Sequence, residues 1–271
     1  MNPLIPIRGA QVAVEVDDDP DFIKSLAKGL AVIEAFEAAS PSMTLSRIAA
    51  KVGLSPGSAR RVLVTLTKLG YVDYNEADRR YHLAARTLQL GYSYLVSQPA
   101  LNLLRPRLAE LSDRLNESCS IMLRDGMEVV CVARATAKRL QTDYMSVGTR
   151  FPAHASSTGK LLLGAMSDAD FSALYAGITM LPEVTPFTVR EVGALRKQCR
   201  EGYERGWLLV DQETALGMAS VAVPLKVNGR MQYGLSTSAT LTHDGSTFVE
   251  RYLPDLLKTA EAMQKLLEAR G

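Results

Sequence analysis

The sequence predicts an α+β chain in two parts, a winged helix-turn-helix joined by a linker helix to a larger sheet-containing domain. Three observations carry this. Residues 44–83 read as two short helices broken at a glycine and followed by two alternating strands. From residue 100 onward, strands and helices interleave in a non-repeating order. A length of 271 residues with 47% hydrophobic and 22% charged residues suits two domains with cores of their own.

Residues 1–20 read as a loose arm, and the pattern Phe22, Leu26, Leu30, Ile33, Phe36 predicts a first helix from 21 to about 39. Ser40-Pro41-Ser42 breaks it, and Thr44 is placed to cap the next helix, over 44–51. Gly53 permits a positive φ, and small residues at Ala49 and Ala59 let two helices cross closely. The helix over 55–69 buries Ala59, Val62 and Leu66 and leaves Ser55, Ser58, Arg60, Arg61 and Thr65 outward. Hydroxyls and guanidinium groups at a helix start suit phosphates and base edges. Ser46 on the preceding helix, and Arg79 and Arg80 in the wing formed by the strands 71–74 and 80–83, complete the candidate DNA-binding set. The winged domain is thus expected over 21–84. The helix at 84–96, within a linker over 85–98, is apolar on more than one side and calls for a partner subunit to cover it.

The second domain, 99–271, opens with a helix to about 116 bearing Leu101, Leu104, Leu108, Leu111 and Leu115 on one face. Strands are expected at 118–124, 128–135 and 142–146, then helices at 154–166, 168–175 and 189–205. Strands at 207–211, 220–226 and 232–240 follow, with a hairpin turn at Asn228-Gly229, and a closing helix spans 246–269.

Net charge is +2 overall but uneven: −3 over residues 1–19, +4 over 20–97 and +1 over 98–271. A modest surplus on the helix-turn-helix fits a protein that touches few phosphates per subunit and gains affinity by dimerising. Cys119, Cys131 and Cys199 have no metal or disulfide spacing, and neither a cofactor nor a metal is expected. No signal peptide or membrane-length apolar run is seen, which places the expected protein in the cytoplasm.

The most conspicuous polar cluster is Ala155-Ser156-Ser157-Thr158-Gly159-Lys160. A phosphate loop would need glycine at the position of His154 and a hydroxyl at Leu161, so nucleotide hydrolysis is excluded. Ser157 and Lys160 satisfy Ser-x-x-Lys, the pattern of a serine hydrolase, but no partner motif accompanies it. Two other readings stay open: N-capping by one serine, and anion binding at a helix start with Ser157 and Thr158 adding hydrogen bonds. The last strand places Leu235, Thr237 and Ala239 on one face, with Tyr233, Ser236 and Ser238 alternating with them. Arg134 ends an otherwise apolar strand and could pair with an acidic ligand.

The chain resembles the IclR family of bacterial transcriptional regulators from Phe22 to Leu267. The resemblance rests on SLAKGLAVIEAF, LSRIAAKVGLSPGSARRVLVTLTKLGYV and YHLAARTLQLGYSYL in the first domain. In the second it rests on VGTRFPAHASSTGKLLL, GYERGWLLVDQETALGMASVAVPL and GLSTSAT. It implies a GAF-like effector-binding domain, a linker helix at a dimer interface, and homodimers or homotetramers on a pseudo-palindromic operator. It also implies pocket residues at Ser157, Thr158, Met218, Ser220, Ser236 and Ser238, some relatives having cysteine at the Ser220 position. FIKSLAKGLAVIEAF and AHASSTGK resemble the branch that activates catabolism of aromatic acids such as 4-hydroxybenzoate and protocatechuate, through RNA polymerase. The expectation is a ligand-responsive, non-enzymatic activator that binds operator DNA and a small carboxylate, with no membrane partner. A repressor answering a short aliphatic carboxylate, an architectural DNA-binder, and a Ser157/Lys160 hydrolase are the alternatives.

Overall fold

The computed structural model describes residues 19–137, 145–240 and 245–269. The chain forms two compact units that divide between Ser97 and Gln98. No described helix is long and apolar enough to cross a membrane. The expected arm, residues 1–20, lies almost wholly outside the described residues.

The first unit contains α1 (Lys24–Glu34), β1 (Ser42–Met43), α2 (Leu45–Lys51), α3 (Pro56–Lys68), β2 (Val72–Asn75), β3 (Arg80–Leu83) and α4 (Leu88–Val96). Thr44 caps α2 through its hydroxyl, which accepts the Arg47 N–H at 3.4 Å. Ser55 caps α3 in the same way, accepting the Ser58 N–H at 3.3 Å, with Pro56 in the first turn. Gly53, at φ 67°, makes the turn between them. Ala31, Val32, Met43, Ile48, Val52, Leu63, Leu66 and Val72 form the core.

The first helix is shorter than its apolar rhythm suggests. It ends at Glu34, and the chain turns as the Ser40 N–H donates to the Glu37 carbonyl. β1 is a strand the alternation did not reveal, since two residues carry no period. It pairs antiparallel with β3, Ser42 opposite His82. The linker segment starts as a 3-10 turn at Ala85–Thr87 before α4.

The second unit contains α5 (Pro99–Leu115), β4 (Ser118–Asp125), β5 (Glu128–Ala135), β6 (Arg150–Pro152), α6 (Ser157–Gly164), α7 (Asp168–Leu174), α8 (Val192–Arg205), β7 (Leu208–Asp211), β8 (Met218–Val227), β9 (Arg230–Thr240) and α9 (Gly245–Glu268). Six antiparallel strands run in the order β6-β5-β4-β9-β8-β7. Alternation along each strand gives the sheet two different faces. Ile121, Ala133, Val221, Val223, Leu235 and Ala239 pack against the leucines of α5 and against Tyr252, Leu256 and Met263 of α9. The opposite face carries α6. Tyr233 lies with Leu235 on the α5–α9 face, not with Ser236 and Ser238, because residues of one parity share one face.

Asn228 and Gly229, at φ 51° and 74°, form the expected tight turn between β8 and β9. The strand expected at 142–146 falls mostly outside the described residues, and Met145 and Ser146 are in no strand. The helix expected from residue 154 begins only at Ser157. Residues Ala153–Ala155 make a 3-10 turn, and Ser156 is extended and caps α6.

Helix α6 is buried along its whole length and meets α8 at Gly164, where an added methyl would collide with the Cys199 carbonyl. Gly164→Ala should therefore destabilise the second unit by about 1–3 kcal/mol through overpacking. Gly57→Ala, which meets open space in α3, should leave the first unit no less stable. Calorimetric melting of both variants checks this; a melting temperature unchanged by Gly164→Ala would contradict the packing assigned to α6.

Candidate functional site

Two surfaces gather the residues singled out from the sequence. The first belongs to the helix-turn-helix. Ser46, Ser55, Arg60, Arg61 and Thr65 are exposed, and Ser58 is half-buried. On α3, Arg61 and Thr65 lie opposite the buried stripe Ala59, Leu63 and Leu66, which fixes how α3 sits on α1 and α2, and Ser58 and Arg60 flank that stripe. The Ser55 hydroxyl is occupied as the cap, and the Thr65 hydroxyl donates to the Arg61 carbonyl at 3.0 Å. Arg60 leans toward the hairpin, where its charge partly offsets the burial that raises the Tyr81 phenol above its ordinary pKa. Arg79 stands in the exposed turn of the wing at φ 55°. Arg80 is half-buried and donates to the Ser42 carbonyl at 3.2 Å, so it also braces β1.

The second surface is the α6 side of the sheet. Register brings its side chains into rows. Ser118 of β4, Ser238 of β9 and Ser220 of β8 lie side by side. In the next row Arg134 of β5, Ser120 of β4, Ser236 of β9 and Ala222 of β8 line up. Met218 stands one step beyond Ser220 on the same face, and its sulfur accepts the Thr240 hydroxyl at 3.9 Å. The result is a floor of hydroxyls with a guanidinium at one side.

Helix α6 begins against this floor. Ser156 performs the capping, its hydroxyl accepting the Gly159 N–H at 3.0 Å. That leaves Ser157 and Thr158 for other partners. The Ser220 hydroxyl donates to Ser157 Oγ at 2.9 Å. Thr158 is 1% exposed, and among the described residues its Oγ1 has no hydrogen-bond partner. Burying a hydroxyl without a partner costs about 1–3 kcal/mol, so an unmet Oγ1 is a group waiting for one. Gly234 lets α6 come this close, because a Cβ there would sit 2.5 Å from Thr158 Cγ2.

Arg134 Nη1 donates to Ser120 Oγ at 2.7 Å and contacts the Met145 sulfur at 3.0 Å. Ser118 Oγ accepts the Ala137 N–H at 3.3 Å. Ser118 and Ser120 were not among the candidates from the sequence. The signal was present: Ser-Cys-Ser at a strand start has the same alternation as Ser236 and Ser238, but which strands are neighbours is not written locally. Hydroxyls, a helix start and a guanidinium together favour a small anion such as a carboxylate.

The Ser157/Lys160 hydrolase is overturned. Lys160 Nζ is buried, ion-paired with Glu213 Oε1 and hydrogen-bonded to Gln198 Oε1 at 2.9 Å. A cation so engaged is no general base, and Ser157 shares its proton network with Ser220. The three cysteines are buried and free, and burial pushes the Cys119 and Cys199 thiols up to about 12, so they are poor nucleophiles. No cluster of metal-ligating side chains occurs among the described residues.

Comparison with known proteins follows the same division. The IclR helix-turn-helix domain matches residues 25–76, and the bacterial transcriptional regulator IclR C-terminal domain matches residues 92–265. The chain is 37% identical to the Pca regulon regulatory protein of Pseudomonas putida, over 88% of this chain and 82% of that one. It is 32% identical to the p-hydroxybenzoate hydroxylase transcriptional activator of Acinetobacter baylyi, over 91% and 93%. Among solved structures, a transcriptional regulator from Rhodococcus sp. RHA1 superposes with a TM-score of 0.78 at 32% identity, covering 92% of this chain and all of the other. An IclR homolog from Microbacterium hydrocarbonoxydans, solved in complex with 4-hydroxybenzoate, has the same fold with a TM-score of 0.74 at 24% identity, over 90% and 99%.

The turn before α6 carries a titratable group whose sign can be worked out. His154 is 3% exposed and its Nε2 lies 3.0 Å from the Pro182 carbonyl. Burial, and the nearby Lys160 charge, hold its pKa below the ordinary value against the opposing pull of Pro182 and Glu213. The unfolded chain therefore binds the proton more readily, and stability is lost as pH falls below about 6.5. His154→Gln, which keeps a donor for Pro182, should flatten the dependence of melting temperature on pH between 5.5 and 7. Identical slopes for both proteins would contradict a buried neutral imidazole.

Proposed function

Because the chain belongs to the IclR family and is a DNA-binding transcriptional regulator of that family, we propose that it activates genes of aromatic-acid catabolism in response to an aromatic carboxylate. The observation that carries the ligand half is the hydroxyl floor beneath the start of α6, with the buried, unmet Thr158 Oγ1 packed over Gly234 of β9 and Arg134 at the floor's side. The names of the relatives in Pseudomonas putida and Acinetobacter baylyi supply the metabolic context. In this reading the carboxylate sits at the α6 start, taking hydrogen bonds from Thr158 and Ser157, with Ser220 holding Ser157 in place. Ser236, Ser238, Met218 and Arg134 shape the remainder of the pocket. Binding favours one of two arrangements of the molecule and so changes its action at the operator.

The DNA half uses α3 in the major groove. Ser55, Ser58, Arg60, Arg61 and Thr65 read or anchor, Ser46 touches backbone from α2, and Arg79 and Arg80 hold the flank. Two copies are needed. Helix α4 has no buried residue and exposes Leu88, Leu90, Tyr92, Tyr94 and Val96, while α1 exposes Leu26 and Leu30 and is preceded by the exposed Ile23. A stripe this apolar suits a second copy of the chain, giving a homodimer that pairs further into a tetramer. As an activator it meets RNA polymerase on operator DNA, in the cytoplasm.

A thermal-shift series with 4-hydroxybenzoate, protocatechuate, benzoate and glyoxylate tests the ligand. At a concentration about 100 times Kd, a bound acid adds about 2.7 kcal/mol and raises the melting temperature by several degrees. Thr158→Val and Ser220→Ala should shrink that rise. A response to glyoxylate alone would favour the repressor of short aliphatic acids, and no response to any acid would favour the architectural DNA-binder.

Operator binding tests the other half. Arg61→Ala should weaken binding by about 1–3 kcal/mol and lower its salt dependence, whereas Leu88→Glu with Tyr92→Glu should give monomers that bind operator poorly. Dimers that persist in the double variant, or full operator affinity in Arg61→Ala, would sink these assignments.

A further inference from the structure

Lys160 is 1% exposed, among the largest fully buried side chains of the protein, and its charge is met inside. Its Nζ pairs with Glu213 Oε1 and donates to Gln198 Oε1 at 2.9 Å. Glu213 is itself 7% exposed and does more than neutralise a lysine. Its second carboxylate oxygen accepts the Val189 N–H at 3.0 Å. Its carbonyl accepts the Thr188 hydroxyl at 3.2 Å, while the Thr185 hydroxyl donates to the Gln212 carbonyl at 2.7 Å. The neighbouring Thr214 hydroxyl donates to the Ala155 carbonyl at 2.7 Å, one residue before the α6 cap. Residues 212–214 are thus tied on one side to the segment 185–189 and on the other to both the approach and the first turn of α6.

A buried ion pair adds little net stability over apolar residues of the same volume; what it supplies is a fixed direction. Here the direction matters because Lys160 follows Ser157 by three residues and Thr158 by two. Residues three apart neighbour each other on a helix, so holding Lys160 sets the rotation of the turn that carries both hydroxyls. Arg196 Nη1 holds the other end of the helix, donating to the Leu163 carbonyl at 2.9 Å, while Lys160 holds the end that carries the two hydroxyls. Lys160 is also the cation nearest in sequence to the proposed carboxylate position, and its pairing with Glu213 leaves the effector to be met by hydroxyls and helix N–H groups.

We propose that Lys160 and Glu213 are the positioning pair of the effector site, locking the rotation of α6 so that Ser157 and Thr158 face the serine floor. The proposal rests on the reading of that floor as the effector site.

The test uses the full-length protein and the variant Lys160→Met/Glu213→Gln, in which glutamine keeps the acceptor for Val189 while the tie to α6 is removed. Titration calorimetry with 4-hydroxybenzoate should give an affinity at least about tenfold weaker, with a melting temperature close to that of the parent. Ser157→Ala should weaken binding in the parent but change it less than about twofold in the paired variant, since a misplaced hydroxyl has nothing left to lose. Glu213→Asp, which keeps the charge but shortens its reach, should fold and bind weakly even if the paired variant does not fold. Amide exchange without ligand should be faster over residues 156–160 in the paired variant. Unchanged affinity, or a Ser157→Ala effect equal in both backgrounds, overturns the proposal. If the parent binds no aromatic acid, the functional reading fails, and the exchange measurement alone decides: unchanged protection over 156–160 overturns the positioning role.

Discussion

The seating of α6 on its sheet is the constraint on which the second unit depends. The helix is buried on every side, so its backbone must approach its neighbours more closely than side chains normally permit. Glycine makes this possible at three contacts. Gly159 meets the Ala153 backbone, Gly164 meets the Cys199 carbonyl, and Gly234 of β9 meets Thr158. Once the helix is that close, each buried polar group of its first turn must find a partner in the protein or in a ligand. Ser156 finds Gly159, Ser157 finds Ser220, and Lys160 finds Glu213. Thr158 Oγ1 finds none among the described residues, and it is the group that the proposed ligand would meet.

The first unit solves a different problem with ordinary means. A small core of Val32, Met43, Ile48, Val52, Leu63 and Val72 holds three helices in a fixed crossing, and capping hydroxyls define where α2 and α3 start. The outward face of α3 is then free to carry Arg60 and Arg61, the arginines proposed to meet DNA. The apolar side chains of α4 have no place in that core, which is why their exposure reads as an interface.

Much of this was legible in the sequence, and the exceptions have physical causes. Capping residues, the Gly53 turn and the Asn228-Gly229 hairpin were readable because each depends on a few adjacent residues. The leucines of α5 were readable because one face of a helix has a period. The strand β1 was not, since two residues have none. The break at Ser156 hid inside an apolar-flanked segment that looks helical from 154 onward. Ser236 and Ser238 could be placed on one face of their strand, but Ser118 and Ser120 join them only through the pairing of β4 with β9, over a hundred residues apart. The role of Lys160 was hidden for the same reason. Its partner Glu213 lies 53 residues away, and only the fold brings carboxylate and ammonium together.

The central claim is that the first turn of α6 and the serine floor form one ligand site. A crystal structure of the protein grown with 4-hydroxybenzoate tests it most directly. The account predicts the carboxylate at the α6 start, within hydrogen-bond distance of Thr158 Oγ1, with the ring lying over Ser236 and Ser238. Ligand bound instead in the cleft of about 390 Å³ beside α5, which Arg134 also lines together with Arg105, Asp113 and Thr136, with Thr158 still unmet, would contradict it.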